Sequence, residues 1–112
     1  MLKLKIEDGV YKVSFNKTNR LNSLIANPLR EELFKIVSKP GREVMLSMKG
    51  ISFIDSSGFE AIMAVVNRAN EIGSRFRICN VSGEVYELLK LMKLKITLEI
   101  DPVKAKEYIP VV

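Results

Sequence analysis

The sequence predicts one α/β domain over residues 1–112, with a mixed, mostly parallel sheet and helices in the order ββαβαβαβα. Three observations predict this class. Hydrophobic residues make up 47% of 112 residues, enough for one core of ordinary size and too many for a disordered chain. Apolar residues alternate in some segments and recur at helical spacing in others. Strand, helix and strand then follow one another, which requires right-handed crossovers and parallel pairing.

The chain begins with a predicted β-hairpin. In residues 2–6, leucine and isoleucine alternate with lysine, which is typical of a strand with one face in water. Asp8 and Gly9 follow, a pair that tolerates the positive φ angles of a type I′ turn. Residues 10–15 are therefore predicted to be the returning strand.

The first helix is predicted to follow the polar stretch at residues 16–23. Asn27 and Pro28 are typical of an N-cap and a first helical residue, because proline has no N–H to leave unpaired there. Pro40 and Gly41 indicate where this helix ends.

Residues 44–48 are apolar at nearly every position, which favours a central parallel strand covered on both faces. The helix that follows has one apolar stripe and is predicted to end at Gly73. That stripe consists of Phe59, Ile62, Met63, Val66, Ala69 and Ile72.

The remaining elements follow the same alternation. Residues 76–81 are predicted to be a strand, and Ser82 is predicted to cap a third helix. A last strand is predicted within residues 96–100. Asp101 and Pro102 indicate a short terminal helix.

The composition excludes several kinds of catalysis. The chain has no histidine and one cysteine, so it cannot form a Ser-His-Asp or Cys-His site, a histidine metal site or a cysteine zinc cluster. Its glycines precede no Lys-Ser/Thr pair of a phosphate-binding loop. The sequence therefore predicts no enzyme and no cofactor. Cys79 lies in a predicted strand, and we expect a buried thiol there.

Charge and hydropathy indicate no direct contact with nucleic acid or membrane. The net charge of +5 favours an acidic partner, but the 18 lysines and arginines are scattered and aromatic residues make up 7%. A solvated surface is the preferred interpretation, and a basic nucleic-acid-binding domain stays a third hypothesis. No apolar run is long enough to span a bilayer, and the first residues lack a secretory signal. We expect a cytoplasmic protein.

The segment between the central strand and the second helix, residues 49–58, departs from this pattern. Asp55, Ser56 and Ser57 all favour the N-cap position, and the helix behind them offers unpaired N–H groups and partial positive charge. Such a site suits an anion, including a phosphate carried by a serine. On the residues alone, a purely capping role for Ser56 remains the alternative.

The sequence Ile-Asp-Ser-Ser-Gly at residues 54–58, between an apolar strand and an apolar helix, resembles that of STAS domains of the anti-sigma-factor antagonist group. The element order and the spacing from residues 27–33 to this motif are similar over essentially the whole chain. The resemblance implies a partner switch. The unphosphorylated protein would bind an anti-sigma factor that is also a serine kinase, and so release the sigma factor.

The resemblance also assigns roles within the motif. Ser56 is implied to be the phosphoacceptor, whose modification ends binding until a PP2C-type phosphatase removes the phosphate. Asp55 is implied to orient the loop, and Ser57 and Gly58 are implied to begin the helix.

The predicted partner surface continues from Ser56 along the second helix. Ala61, Ala64, Val65 and Arg68 are predicted to lie away from the apolar stripe, where small side chains would allow close approach. The alternative is a plain solvent face made of good helix formers.

One segment differs from the family pattern. Residues 19–22 read Asn-Arg-Leu-Asn, where family members commonly have a glycine, an acidic residue, leucine and aspartate. Asn22 takes the aspartate position and is expected at the partner surface, while Arg20 takes the acidic position. The alternative function is therefore a STAS module that is not phosphorylated and serves as a scaffold, a sensor subunit or an accessory protein for a small or lipidic ligand. We expect a monomer or weak dimer.

Overall fold

The computed structural model describes residues 1–92 and the backbone of residues 99–100. The main sheet contains β1 (Leu2–Glu7), β2 (Val10–Phe15), β4 (Glu43–Ser47), β6 (Arg75–Cys79) and β7 (Glu99–Ile100). A second, two-stranded sheet contains β3 (Arg20–Leu21) and β5 (Phe53–Ile54). The helices are α1 (Ser23–Ile36), α2 (Ser56–Ile72) and α3 (Gly83–Leu91). The single mixed α/β domain is thereby confirmed.

The strands of the main sheet lie in the order β1-β2-β4-β6-β7. β1 and β2 are antiparallel and the other neighbours are parallel. The turn between β1 and β2 has positive φ at both Asp8 (51°) and Gly9 (79°), which the predicted type I′ turn requires. Since each crossover steps the same way across the sheet, the right-handed rule places the helices on one face.

The hydrophobic core lies between that face and the helices. Val13, Leu46 and Ile78 are opposite one another in the strand register and at most 1% exposed. Met45 and Ser47 belong to the opposite face and are only partly buried, so β4 is not covered equally on both faces as predicted.

Helix α1 begins at Ser23 rather than at Pro28, so the predicted N-cap at Asn27 is wrong. Asn22 is the N-cap, and its Oδ1 accepts a hydrogen bond from the Leu24 N–H at 3.0 Å. Pro28 lies inside the helix and leaves the Leu24 carbonyl without its helical donor. Leu24 is 83% exposed, so this part of the helix faces water. The helix also ends earlier than predicted, at Ile36.

Two other predicted helix boundaries are confirmed, whereas α2 begins at Ser56, one residue before the implied start at Ser57. Gly73 ends α2 in the left-handed conformation, with φ of 86°. Ser82 caps α3, and its Oγ accepts from the Val85 N–H at 3.1 Å. The predicted terminal helix at Asp101 lies outside the described residues. No helix within residues 1–92 is both long and apolar enough to cross a bilayer.

Candidate functional site

The small sheet brings two loops together in front of α2. β3 and β5 pair in parallel, with Leu21 beside Ile54. The Ser52 N–H donates to the Asn19 carbonyl at 2.8 Å, and the Asp55 N–H donates to the Leu21 carbonyl at 3.1 Å. The segment that differs from the family pattern therefore lies directly against the Asp-Ser-Ser-Gly motif. Strands of two residues have no periodicity, so β3 and β5 could not be predicted from the sequence.

Asp55, not a serine, caps α2. Its backbone is extended, with φ of −107°, and its Oδ1 accepts from the Gly58 N–H at 3.0 Å. Ser56 is the first residue of the helix and is exposed. Its hydroxyl makes no hydrogen bond to another residue of the described chain. The alternative that Ser56 is a capping serine is therefore wrong.

Gly58 lies where β3 passes closest to α2. It is buried, and a Cβ added there would overlap the Leu21 carbonyl oxygen and lie 2.8 Å from Leu21 Cβ. Real Cβ atoms essentially never come within 3.0 Å of a heavy atom from a distant part of the chain, so a side chain at this position requires the backbone of β3 to move. The glycine thus allows the close contact that holds the two loops together.

A polar cleft of about 270 Å³ separates the first turns of α1 and α2. Ser57 and Glu60 line it from α2, and Asn27 and Arg30 line it from α1. Arg30 Nη2 donates to Asn27 Oδ1 at 2.9 Å. Ser57 lines the cleft, whereas the exposed Ser56 does not.

Two of the four residues predicted to face outward on α2 are in the core. Ala61 is 2% exposed and Val65 is not exposed at all, so neither can form an outer surface and that prediction is wrong. Ala64 is partly buried and Arg68 is exposed. Arg68 packs its guanidinium over the ring of Phe34 on α1, with Cζ 4.7 Å from the ring centroid.

The error has an identifiable cause. The sequence prediction counts only the stripe of large apolar residues as the buried face, whereas the buried face also includes Gly58, Ala61 and Val65. The buried positions of α2 are Gly58, Ala61, Ile62, Val65, Val66 and Ala69. The small residues among them recur every three or four positions, a spacing that places them on one face of the helix.

Sequence reasoning also missed which residues share the exposed face with Ser56. Glu60 and Asn67 are exposed, and at helical spacing they lie on the same side of α2 as Ser56. Arg20 lies beside the motif on β3, and its Cζ is 4.3 Å from the ring centroid of Phe53. Within the described part of the chain, no three cysteine or acidic side chains gather closely enough to hold a metal ion.

Comparison with known proteins identifies the family. The STAS domain model matches residues 2–106, and the chain therefore belongs to the STAS domain family. No curated protein matches the chain significantly.

Solved structures share the fold. A proposed anti-sigma factor antagonist from Thermotoga maritima is 22% identical, with a TM-score of 0.75 over 95% of this chain and 92% of that one. An anti-sigma-factor antagonist (STAS) domain protein from Planctomyces limnophilus is 20% identical, with a TM-score of 0.78 over 88% and 87%. The murine anion transporter Solute Carrier 26 family member A9 is 22% identical, with a TM-score of 0.64 over 74% of this chain and 14% of that one.

Proposed function

We propose that this protein is an anti-sigma-factor antagonist whose binding is switched by phosphorylation at Ser56. The unphosphorylated form binds an anti-sigma factor with serine kinase activity and so frees a sigma factor in the cytoplasm. A PP2C-type phosphatase returns the protein to the binding form. The protein is the kinase's substrate and has no catalysis of its own in this scheme.

One observation carries the proposal: Ser56 is exposed at the first residue of α2 while Asp55 does the capping. A serine that caps a helix uses its hydroxyl oxygen to accept a backbone N–H. Here that work is done by the Asp55 carboxylate, so the Ser56 hydroxyl is available to a kinase. Its modification removes no hydrogen bond within residues 1–92.

A phosphate at Ser56 changes the surface more than the fold. It adds about −1.5 to −2 charges at neutral pH. The amino end of α2 attracts that charge, whereas the neighbouring Asp55 repels it, so the two effects offset one another. At a partner's surface, by contrast, a buried like charge costs several kcal/mol, and each ~1.4 kcal/mol is tenfold in affinity.

The partner surface in this proposal is smaller than the sequence predicted. It consists of Ser56, Ala64 and Arg68 on α2, together with Asn22 at the start of α1. Glu60 lies on the exposed side of α2 between Ser56 and Ala64, and we add it to the surface. Ala61 and Val65 are in the core and are left out of this surface.

The proposal is tested by phosphate transfer and by binding. The protein, Ser56→Ala and Ser57→Ala are incubated with ATP and an extract of the source cells, then measured by intact mass and peptide fragmentation. We expect one phosphate, lost only in Ser56→Ala. Ser57→Ala is the matched control because it removes the adjacent hydroxyl. Phosphate on Ser57, or none with an active kinase control, contradicts the proposal.

A binding measurement, made together with a stability measurement, distinguishes loss of partner affinity from loss of folding. Ser56→Asp should weaken capture of the anti-sigma factor by about tenfold or more, because a charge enters a desolvated contact. Its melting temperature should stay within about 3 °C of the wild type, because the site is exposed. A large loss of thermal stability in Ser56→Asp would refute the electrostatic argument.

A second candidate is a STAS module that is not phosphorylated and serves as a scaffold or sensor. Asn22 and Arg20 favour it, because they replace the acidic residues that family members commonly carry beside the serine. The same fold also occurs as a small part of an anion transporter. Absence of phosphate in the transfer experiment, with partner binding unaffected by Ser56→Asp, would support this candidate.

A further inference from the structure

The face of the main sheet opposite the helices carries an ordered pattern of basic and apolar side chains. Lys5 and Lys12 are opposite one another, and Lys12 is beside Met45 in the next strand. The neighbouring row contains Lys3 and Ser14, followed across the sheet by Ser47 and Cys79. Residues in register lie on the same face of a sheet, so these rows face the same way.

A groove of about 580 Å³ lies on this face. Met45 and Cys79 contribute to its floor, and Lys3, Lys5 and Lys12 line it on the side of β1 and β2. The lining surface is mostly apolar. Lysines contribute to such a surface with their methylene stems while their ammonium groups stay in water. The volume falls in the range of small-molecule sites, about 300–1,000 Å³.

The three lysines are not equivalent. Glu7 pairs with both Lys5 and Lys12, at Nζ to carboxylate-oxygen distances of 2.8 Å and 2.9 Å. Lys3 forms no ion pair with any residue of the described chain. It is opposite Ser14, whose hydroxyl can also donate a hydrogen bond. The end of the groove at Lys3 and Ser14 is therefore suited to an anionic group.

We propose that this groove binds a single-chain anionic amphiphile, with a carboxylate or phosphate head at Lys3 and Ser14 and an alkyl chain along Met45 towards Cys79. Charge complementarity favours the negative head, and the apolar lining favours the chain. A nucleotide fits less well, because none of the described residues that line the groove is aromatic and can stack on a base. The site is independent of Ser56.

The methyl resonances of the five methionines can report binding, because Met45 alone among them lines the groove. Protein labelled at the methionine methyl carbons is titrated with decanoate and with decyl phosphate, below their micelle concentrations. The Met45 methyl resonance should shift saturably, while that of the buried Met48 stays in place. Lengthening the chain should strengthen binding by about threefold to fourfold per methylene until the groove is filled.

Two variants locate the head group. Lys3→Gln should weaken decanoate binding by about fivefold to tenfold, because it removes the unpaired ammonium group. Lys35→Gln is the matched control: it makes the same charge change on exposed α1, on the other side of the sheet, and should leave affinity unchanged. Ser56→Asp should also bind normally, which separates this site from the switch.

Several results would overturn the proposal. Equal binding of decyltrimethylammonium would show that charge is not recognised, and an equal Met45 shift with acetate would show that the chain is not bound. Simultaneous shifts of Met45 and Met48 would indicate a detergent effect. Binding of phosphatidylglycerol vesicles or of a poly-glutamate peptide, with no response to decanoate or decyl phosphate, would assign this face to a membrane or to an acidic protein.

Discussion

Gly58→Ala tests whether the contact between β3 and α2 holds the Asp-Ser-Ser-Gly motif in place. The new methyl group would overlap the Leu21 carbonyl oxygen, a backbone atom that cannot rotate away. That same carbonyl accepts the Asp55 N–H at 3.1 Å, so any movement of β3 also disturbs the residue that caps α2.

The magnitude follows from three contributions. Overpacking a well-packed site costs about 1–3 kcal/mol. A strained or lost hydrogen bond between Asp55 and Leu21 adds about 1 kcal/mol. Replacing glycine with alanine inside a helix stabilises the helix by about 1 kcal/mol. The expected net loss is about 2 kcal/mol, or a melting temperature lower by about 8 °C.

The assay is thermal and urea unfolding, followed by far-ultraviolet circular dichroism. The control is Asn67→Ala, an alanine substitution at an exposed position of the same helix, which should change stability by no more than about 0.5 kcal/mol. If Gly58→Ala proves as stable as Asn67→Ala, the close approach of β3 does not constrain the motif, and this account of the glycine is wrong.

Three further predictions concern single residues. Asp55→Ala should destabilise the protein by about 1 kcal/mol in urea unfolding, while Asp55→Asn, which still caps, should cost less; equal losses would contradict the capping role. Pro28→Ala should raise the free energy of unfolding by about 1–2 kcal/mol, since it restores a helical N–H donor. A free energy of unfolding below that of the wild type would show that Pro28 does not weaken the helix. Lys5 and then Lys12 lower the pKa of Glu7 from 4.5 to about 2 by hydrogen bonds and charge attraction. The stabilisation by these exposed pairs should be small; it should be present above pH 4.5 and be lost as the pH falls towards 2. NMR titration of Glu7 should show the lowered pKa, and high salt should move that pKa back up.

Elements with a strong local pattern were predictable from the sequence. The alternation in residues 2–6, with Asp8 and Gly9 after it, predicts the hairpin because both the strand and the turn depend on preferences of neighbouring residues. Gly73 ends α2 for a similarly local reason: glycine adopts positive φ without strain. The short β3 and β5 had no such pattern and become strands only by pairing with each other.

The start of α1 shows a competition that local rules do not resolve. Asn22 and Asn27 are both good N-caps, and Pro28 favours the second. The helix begins after Asn22, the residue that follows β3. Pairing of β3 with β5 fixes where the extended chain ends, and the helix accommodates Pro28 in its interior at an exposed position.

The class of domain, the order of its main elements and the position of the Asp-Ser-Ser-Gly motif at the start of a helix could all be predicted from the sequence alone. These features depend on periodicity and on local backbone preferences. Which of the three cap-forming residues caps α2 depends instead on tertiary contacts: the Leu21 carbonyl accepts the Asp55 N–H, and Ser56 is left exposed. Tertiary contacts also bury Ala61 and Val65, because the side of a helix that is covered depends on the elements that pack against it.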